Sequence, residues 1–245
     1  MSAAEVKGFD QLIPLPAAGR VFEWNVRPGL ADTAASGRVR LDAIARWLQD
    51  AAYADVEDAD LAERGGWVVR RNRIKVESFP RFADEVLVRT FCSATGTLVA
   101  ERRHSISSAS ARVEAVGLWV HVDPDSGLPA RLGEEIESVY APSAGGRKAR
   151  SKLRHPAPPE GGERSEWRFR QADVDIAGHV NNAAYWEIVE ELIAGGPEIE
   201  AADVEIEFRE PAQPGDATLL RAAGRVWVMG EGGAVHAAIA GLPSP

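Results

Sequence analysis

The sequence predicts an α+β protein in which one structural unit occurs twice. Two similar segments begin at Glu23 and Glu166, each copy passes from helical to strand-like periodicity, and a segment rich in proline, glycine and charge separates them. One helix packed on an antiparallel sheet buries one face of each element. Each copy is therefore expected to form a helix-on-sheet layer of its own.

The composition limits the classes of function. The chain has 245 residues, of which 45% are apolar and 27% charged, so a sizeable core is expected and a fully disordered chain is not. The net charge of −9 is opposite in sign to that of a nucleic-acid-binding protein. No stretch reaches the roughly 20 apolar residues of a membrane helix. We therefore expect neither nucleic acid nor membrane as a partner.

The single cysteine, Cys92, leaves no internal disulfide and no cysteine metal cluster, which favours a reducing, cytoplasmic location. The chain starts with acids at Glu5 and Asp10 and without a long apolar run. This start predicts a loosely ordered tail at residues 1–19 rather than a signal peptide.

The two copies share a register that leads into a helix. Their aligned positions are Asp32 with Asp173, Ala34 with Asp175, and Arg38 with His179. Apolar residues then recur at three- and four-residue steps, which predicts an amphipathic helix in each copy. These residues are Leu41, Ile44, Ala45, Leu48, Ala52 and Val56 in the first copy, and Val180, Ala184, Tyr185, Ile188, Val189 and Leu192 in the second. We expect the second helix to begin near Val180.

About four strands follow each helix. The strand-like segments are 67–78, 85–92, 98–107 and 112–122 in the first copy, and 204–209, 217–223, 225–229 and 234–240 in the second. Arg71, Arg73 and Lys75 break strict alternation in the first of them, which predicts a bulge or an exposed edge. The resulting division is a tail at 1–19, a first unit at 20–140, a linker at 141–164 and a second unit at 165–245.

The run from Asp173 to Tyr185, with its His-Val-Asn-Asn segment, resembles the motif of hotdog-fold thioesterases. Two such units in one chain, together with Trp67-Val-Val-Arg and the turn Phe79-Pro-Arg-Phe-Ala-Asp84, resemble the acyl-ACP thioesterases. This resemblance implies a tandem (double) hotdog fold, in which a curled antiparallel sheet wraps a long helix in each half. It also implies hydrolysis of acyl-acyl carrier protein to free fatty acid in fatty acid biosynthesis, without a cofactor.

The resemblance carries over to individual residues. Asp175 and His179 match the aspartate and histidine of the family's Asp-x-Asn-x-His pattern, but Ala177 stands at the asparagine position. The position of a further glutamate holds Pro211, and Glu210 is one residue away. The second half contains no cysteine, so a thiol nucleophile is not available there.

The chemistry of a thioesterase gives each of these residues a candidate role. Asp175 could activate water or attack the thioester carbonyl itself, or it could be only a helix cap. Backbone N–H groups from His179 to Asn182 are expected to hold the developing oxyanion at the helix N-terminus. Asn181 and Asn182 could take part there, or serve only as caps and turn formers.

The first copy lacks the reactive pair, because Ala34 and Arg38 stand in its place. We therefore expect the second half to be catalytic and the first to be structural and acyl-binding. The candidate acyl-pocket residues, for which plain core packing is the alternative, are Trp47, Tyr53, Trp67, Val69 and Tyr185.

Basic residues in an otherwise acidic chain suggest a docking surface for the acidic acyl carrier protein. The first group contains Arg70, Arg71 and Arg73, and a second group, 147–154, falls in the linker. An acyl-CoA thioesterase or a catalytically silent acyl-binding protein would have the same fold, so both remain alternatives. No metal site is expected, and a homodimer is compatible with the sequence.

Overall fold

The computed structural model describes residues 12–194 and 196–242, which form one large antiparallel sheet with helices on one face. Most of the predicted tail, residues 1–11, lies outside the described part. Leu12 packs against a small cluster that contains Val99 and Val116. No helix within the described ranges has the length and hydropathy needed to cross a bilayer.

The first copy contributes five strands and two helices. In chain order these are β1 (Phe22–Val26), α1 (Leu41–Asp58), β2 (Gly66–Ser78), β3 (Val86–Thr95), β4 (Val99–Ser107), β5 (Arg112–Val122) and α2 (Glu134–Ala144). The second copy contributes β6 (Glu163–Phe169), α3 (Ala184–Ile193), β7 (Ala202–Phe208), β8 (Gly215–Ala222), β9 (Arg225–Met229) and β10 (Val235–Ala240).

A single sheet joins the two copies. Its ten strands follow the order β1-β3-β4-β5-β2-β7-β10-β9-β8-β6, and antiparallel pairing of β2 with β7 closes the seam. Helices α1 and α3 contact each other over the seam. We call the sheet face that packs on these helices the inner face. Its core includes Ile44, Leu48, Ile74, Val204 and Ile206, all at most 1% exposed. The predicted α+β architecture is confirmed.

Equivalent backbone hydrogen bonds show that the copies are built alike before each helix. Val39 donates to the Pro80 carbonyl at 2.9 Å, and Val180 donates to the Ala212 carbonyl at 2.9 Å. Arg40 donates to Asp32 at 2.9 Å and Asn181 to Asp173 at 2.8 Å. The two loops therefore keep the register that the sequence alignment predicts.

The helices differ from the prediction in two places. Helix α3 begins at Ala184 rather than near Val180, because Val180 forms an isolated antiparallel bridge with Val174 and so belongs to the loop before the helix. Helix α2 was not predicted, and it extends past residue 140 into the predicted linker. Ile136, Tyr140 and Ala144 recur at four-residue steps along it and pack into a second core cluster.

The rest of the predicted linker lies against the outer face of the sheet. Glu207 of β7 is fully buried, and its carboxylate accepts the N–H groups of Arg154 at 2.5 Å and His155 at 3.0 Å. The strand β2 has the predicted bulge, between Val69 and Arg71, and lies at the centre of the sheet rather than at an edge.

Candidate active site

Asp175 lies in a tight turn just before α3. The Gly178 N–H donates to the Asp175 carbonyl at 3.0 Å, and Gly178 adopts a φ of 79°, which favours glycine. The Ala177 N–H donates to Oδ1 of Asp175 at 2.9 Å. The turn therefore fixes the carboxylate from its own backbone while leaving the side chain half-buried.

Asn181 holds the other carboxylate oxygen. Its Nδ2 donates to Oδ2 of Asp175 at 2.9 Å, and its Oδ1 accepts the N–H of Ala183 at 2.7 Å. Asn181 thus forms the turn that leads into α3 and contacts the candidate catalytic group, while its predicted part in binding the oxyanion stays a prediction. The side chain of Asp175 does not cap the helix.

A residue from the other half completes this network. Gln49 of α1 donates from Nε2 to Oδ1 of Asn181 at 3.0 Å, and Asn181 returns a bond from Nδ2 to Oε1 of Gln49 at 3.3 Å. The Asn181 amide is therefore fixed by a reciprocal amide pair across the seam. Sequence reasoning missed Gln49, because nothing local connects residues that are 132 positions apart.

The backbone donors are fewer than predicted. The expectation was wrong for Val180 and Asn181, whose N–H groups bind the carbonyls of Ala212 and Asp173. Within the described ranges, the N–H groups of His179 and Asn182 have no protein acceptor. Asn182 is half-buried and follows the network residue Asn181 directly, so its N–H is the better candidate for an oxyanion donor.

His179 lies four residues after Asp175, and its carbonyl accepts the Asp175 N–H at 3.1 Å. The imidazole is half-buried, and within the described part of the chain it forms no hydrogen bond to Asp175. Glu210 is exposed beyond the end of β7, where its backbone pairs with Val235. Glu210 therefore does not take the place of the family's glutamate, whose position is held here by Pro211.

The five candidate pocket residues occupy different environments. Trp47, Val69 and Tyr185 are at most 4% exposed and belong to the main core. Tyr185 packs edge-on against Phe208, and burial raises the pKa of its phenol. Trp67 is half-buried on the inner face, whereas Tyr53 is 59% exposed on α1.

The candidate docking arginines are largely engaged inside the chain. Arg71 is 2% exposed and lies beside Glu207, so its guanidinium cannot meet a partner at the surface, and the prediction for Arg71 is corrected. The reason is that β2 is a central strand covered by the linker. Arg70 donates to the Arg209 carbonyl at 2.7 Å, and Arg73 pairs with Asp203 at 2.6 Å.

One group of metal-ligand residue types occurs in the described part of the chain, formed by His155, Glu205 and Glu207. Its ligand atoms already serve the chain: His155 Nε2 contacts Glu205 at 3.0 Å, and Glu207 accepts two backbone N–H groups. This geometry anchors the linker on the sheet and gives no reason to assign a metal.

The geometry can be compared with known proteins. An acyl-ACP thioesterase structure from Bacteroides thetaiotaomicron superimposes with a TM-score of 0.73 at 16% identity, covering 89% of this chain and 96% of that one. An uncharacterized protein of Mycobacterium tuberculosis is 27% identical over 86% of this chain and 85% of its own. An oleoyl-acyl carrier protein thioesterase of Coriandrum sativum is 27% identical over 49% of this chain and 36% of its own.

Two hotdog units joined in one sheet thus define the class of protein, a double hotdog fold. The family models narrow this further. The acyl-ACP thioesterase N-terminal domain matches residues 20–140, and the acyl-ACP thioesterase C-terminal domain matches residues 157–223. The chain belongs to the acyl-ACP thioesterase family.

Proposed function

We propose that this protein hydrolyses the thioester of acyl-acyl carrier protein and releases a free fatty acid in fatty acid biosynthesis. One observation carries the proposal: Asn181 and the Ala177 N–H hold both oxygens of the Asp175 carboxylate. Each oxygen keeps a further lone pair, so an ionised carboxylate can still act on water or substrate.

In the reaction, Asp175 removes a proton from water as the water oxygen bonds to the thioester carbonyl carbon. The oxyanion that forms is held by the Asn182 N–H, close to the start of α3. The carbon–sulfur bond then breaks, and the leaving thiolate takes the proton that Asp175 holds. Direct attack by the Asp175 carboxylate would instead form an anhydride that water hydrolyses. Both routes require an ionised Asp175.

The deciding experiment is turnover of acyl-ACP by Asp175→Asn. Asparagine keeps the shape and most hydrogen bonds but removes the reactive charge, so kcat should fall at least about a hundredfold. Asp32→Asn is the matched control, because Asp32 has a comparable structural role before α1: it accepts the Gly29 N–H at 2.9 Å. That variant should lose only about 0.5–2 kcal/mol of stability. A folded Asp175→Asn protein with near-normal kcat would overturn the role of Asp175 as base or nucleophile. A wild-type protein that binds acyl chains but does not turn over acyl-ACP would support the acyl-binding alternative instead.

The two halves of the chain have different proposed roles. The second unit, 165–245, supplies Asp175, His179 and Asn182, and we assign catalysis to it. The first unit, 20–140, supplies Gln49 and the inner-face residues Trp67 and Val69, and we assign structural support and acyl binding to it. His179 would orient water or substrate, so His179→Ala should cost less in kcat than Asp175→Asn.

The carrier protein rather than coenzyme A is the proposed acyl carrier, with Arg70 and Arg73 as docking candidates. Attraction between exposed charges is screened beyond roughly 8 Å at physiological ionic strength. KM for acyl-ACP should therefore rise with salt while KM for acyl-CoA changes little. Equal salt dependence for the two substrates would favour the acyl-CoA thioesterase alternative. A cytoplasmic location remains part of the proposal.

A further inference from the structure

A buried donor and a buried acceptor that are close together on the inner face of the first half have no hydrogen-bond partner among the described residues. They are the indole Nε1 of Trp119 on β5 and the amide Oδ1 of Asn72 on β2. Leaving such atoms unpaired inside a protein is costly, so an unpaired donor and an unpaired acceptor need an explanation.

The two atoms belong to one place in the sheet. Gly117 of β5 is the direct cross-strand partner of Asn72, and residues paired in this way lie about 5 Å apart. A Cβ placed on Gly117 would meet Trp119 Nε1 at 2.7 Å, so the indole nitrogen lies over the glycine. The absence of a side chain at residue 117 therefore brings the indole N–H next to the strand that carries Asn72.

This place is less completely buried than the sheet around it. Ile74 and Ile206, the inner-face neighbours of Asn72, are completely buried, whereas Asn72 is 7% exposed. Trp119 and Trp67 are both half-buried although they lie on central strands. The inner face is therefore partly open to solvent at these two tryptophans.

This part of the inner face lies within reach of Asp175. Trp67 packs against the cluster that contains Val56 of α1, and Gln49, seven residues earlier on α1, joins the network of Asp175. Seven helical residues span about 10 Å. An acyl chain whose thioester lies at Asp175 could therefore run along α1 and pass Trp119 and Asn72.

The pair is not alone on this face, because both ring nitrogens of the buried His104 on β4 also have no hydrogen-bond partner among the described residues. A buried charge on the same face is, by contrast, fully paired. Asp55 of α1 is 1% exposed, and it accepts bonds from Arg102 at 2.6 Å and from the Tyr140 hydroxyl at 2.9 Å. Asp55 is therefore paired within the chain. The unpaired donor and acceptor of Trp119 and Asn72 lie on the proposed acyl path.

We propose that Trp119 and Asn72 bind a hydroxyl group on the acyl chain, so that the preferred substrates are hydroxylated acyl thioesters. This inference rests on the proposed thioesterase function. A hydroxyl oxygen accepts the indole N–H while its proton is donated to Asn72 Oδ1, so one group satisfies both atoms. A methylene satisfies neither, and sites built for a hydroxyl discriminate strongly against analogues that lack it.

The test compares acyl-ACPs of equal chain length that are saturated or carry one hydroxyl at successive mid-chain carbons. We expect kcat/KM to be roughly tenfold or more higher for at least one hydroxylated chain than for the saturated chain. The same free fatty acids provide a second measurement, in which the matching hydroxy acid should raise the melting temperature more than the saturated acid does.

The double variant Asn72→Leu/Trp119→Phe replaces both polar groups by apolar ones of similar shape. It should lose the hydroxyl preference, so that kcat/KM becomes similar for the hydroxylated and the saturated chains. Its melting temperature should stay equal or rise because neither unpaired atom remains. Trp167→Phe is the matched control, since Trp167 also carries a buried, unpartnered indole nitrogen but lies on the edge strand β6. It should keep the preference.

The outcomes separate the two proposals. Failure to hydrolyse any acyl thioester would overturn the thioesterase function, and fatty-acid binding would then still test the hydroxyl site. Hydrolysis with no hydroxyl preference, or equal stabilisation by the saturated acid, would overturn the hydroxyl site alone. A preference that survives in the double variant would also overturn it.

Discussion

At the scale of single residues, replacement of the buried Cys92 tests whether a thiol or the Asp175 carboxylate starts the reaction. The side chain is 2% exposed in β3, and burial raises its pKa to about 11. A protonated thiol in the core is a poor nucleophile. Cys92→Ser should therefore leave kcat on acyl-ACP unchanged, and native protein should resist thiol alkylation. A large fall in kcat for folded Cys92→Ser would contradict an Asp175-based mechanism.

Single residues also show what the sequence could and could not predict. Asp175 could be found because its motif is specific and because the first copy, with Ala34 in its place, acts as an internal comparison. Arg71 was placed at the surface wrongly, because strand alternation alone cannot show that β2 is central and covered. Asn72 and Trp119 gave no signal, since their unpaired atoms become evident only when the strands are paired.

At the scale of elements, α1 reaches across the seam to position a residue of the other half. Gln49 holds Asn181, and Asn181 holds Asp175. Truncation by Gln49→Ala should free the Asn181 amide and lower kcat roughly tenfold or more, as loss of a supporting residue commonly does. KM should change little because Gln49 does not contact the carboxylate itself.

A charge at the same position separates positioning from simple packing. Gln49→Glu keeps the size of the side chain but brings a negative charge near Asp175, which raises the pKa of a neighbouring carboxyl. Activity should therefore be lost at a higher pH on the acid side of the kcat profile than in the wild type. A Gln49→Glu variant with an unshifted profile and normal kcat would refute the positioning role.

The elements were predicted with uneven success for physical reasons. The strands follow from runs of alternating or apolar residues, and two of them, Arg112–Val122 and Arg225–Met229, have the predicted bounds. The start of α3 could not be placed, because the antiparallel bridge between Val174 and Val180, which holds Val180 in the loop before the helix, forms only in the folded chain. Helix α2 was hidden by Pro142 and by the glycines that follow it.

At the scale of the whole molecule, the two halves interact through two equivalent positions whose side chains differ chemically. Gln49 aligns with Glu190 in the repeat register, and each projects from its helix onto the loop before the other helix. On one side, Gln49 meets Asn181 beside the candidate active site. On the other, Glu190 accepts the Leu41 N–H at 2.6 Å and pairs with Arg38 at 2.7 Å.

The second contact fills the place where the first copy would otherwise have an equivalent site. Arg38 stands at the position that aligns with His179, and it is 5% exposed, bonded to Glu190 and Glu198 and stacked 4.9 Å from the Phe79 ring centre. An ion pair so enclosed leaves no reactive carboxylate and no room for a thioester. The contact between Glu190 and Arg38 is thus assigned to structure, and the contact between Gln49 and Asn181 to catalysis.

This division predicts opposite effects of mutations on the two sides. Arg38→Ala leaves the carboxylate of Glu190 buried without its cation, and breaking such a pair costs about 3–5 kcal/mol. The free energy of unfolding, measured in urea, should fall accordingly, while kcat per folded molecule should stay within a few-fold of the wild type.

Glu190→Gln, whose side-chain oxygen can still accept the Leu41 N–H, should lower the free energy of unfolding less than Arg38→Ala does. Gln49→Ala should show the reverse pattern, with lower kcat and little loss of stability. If Arg38→Ala instead abolished turnover in a protein of normal stability, the first copy would have to contribute to catalysis, and the assignment of one structural and one chemical contact would be wrong.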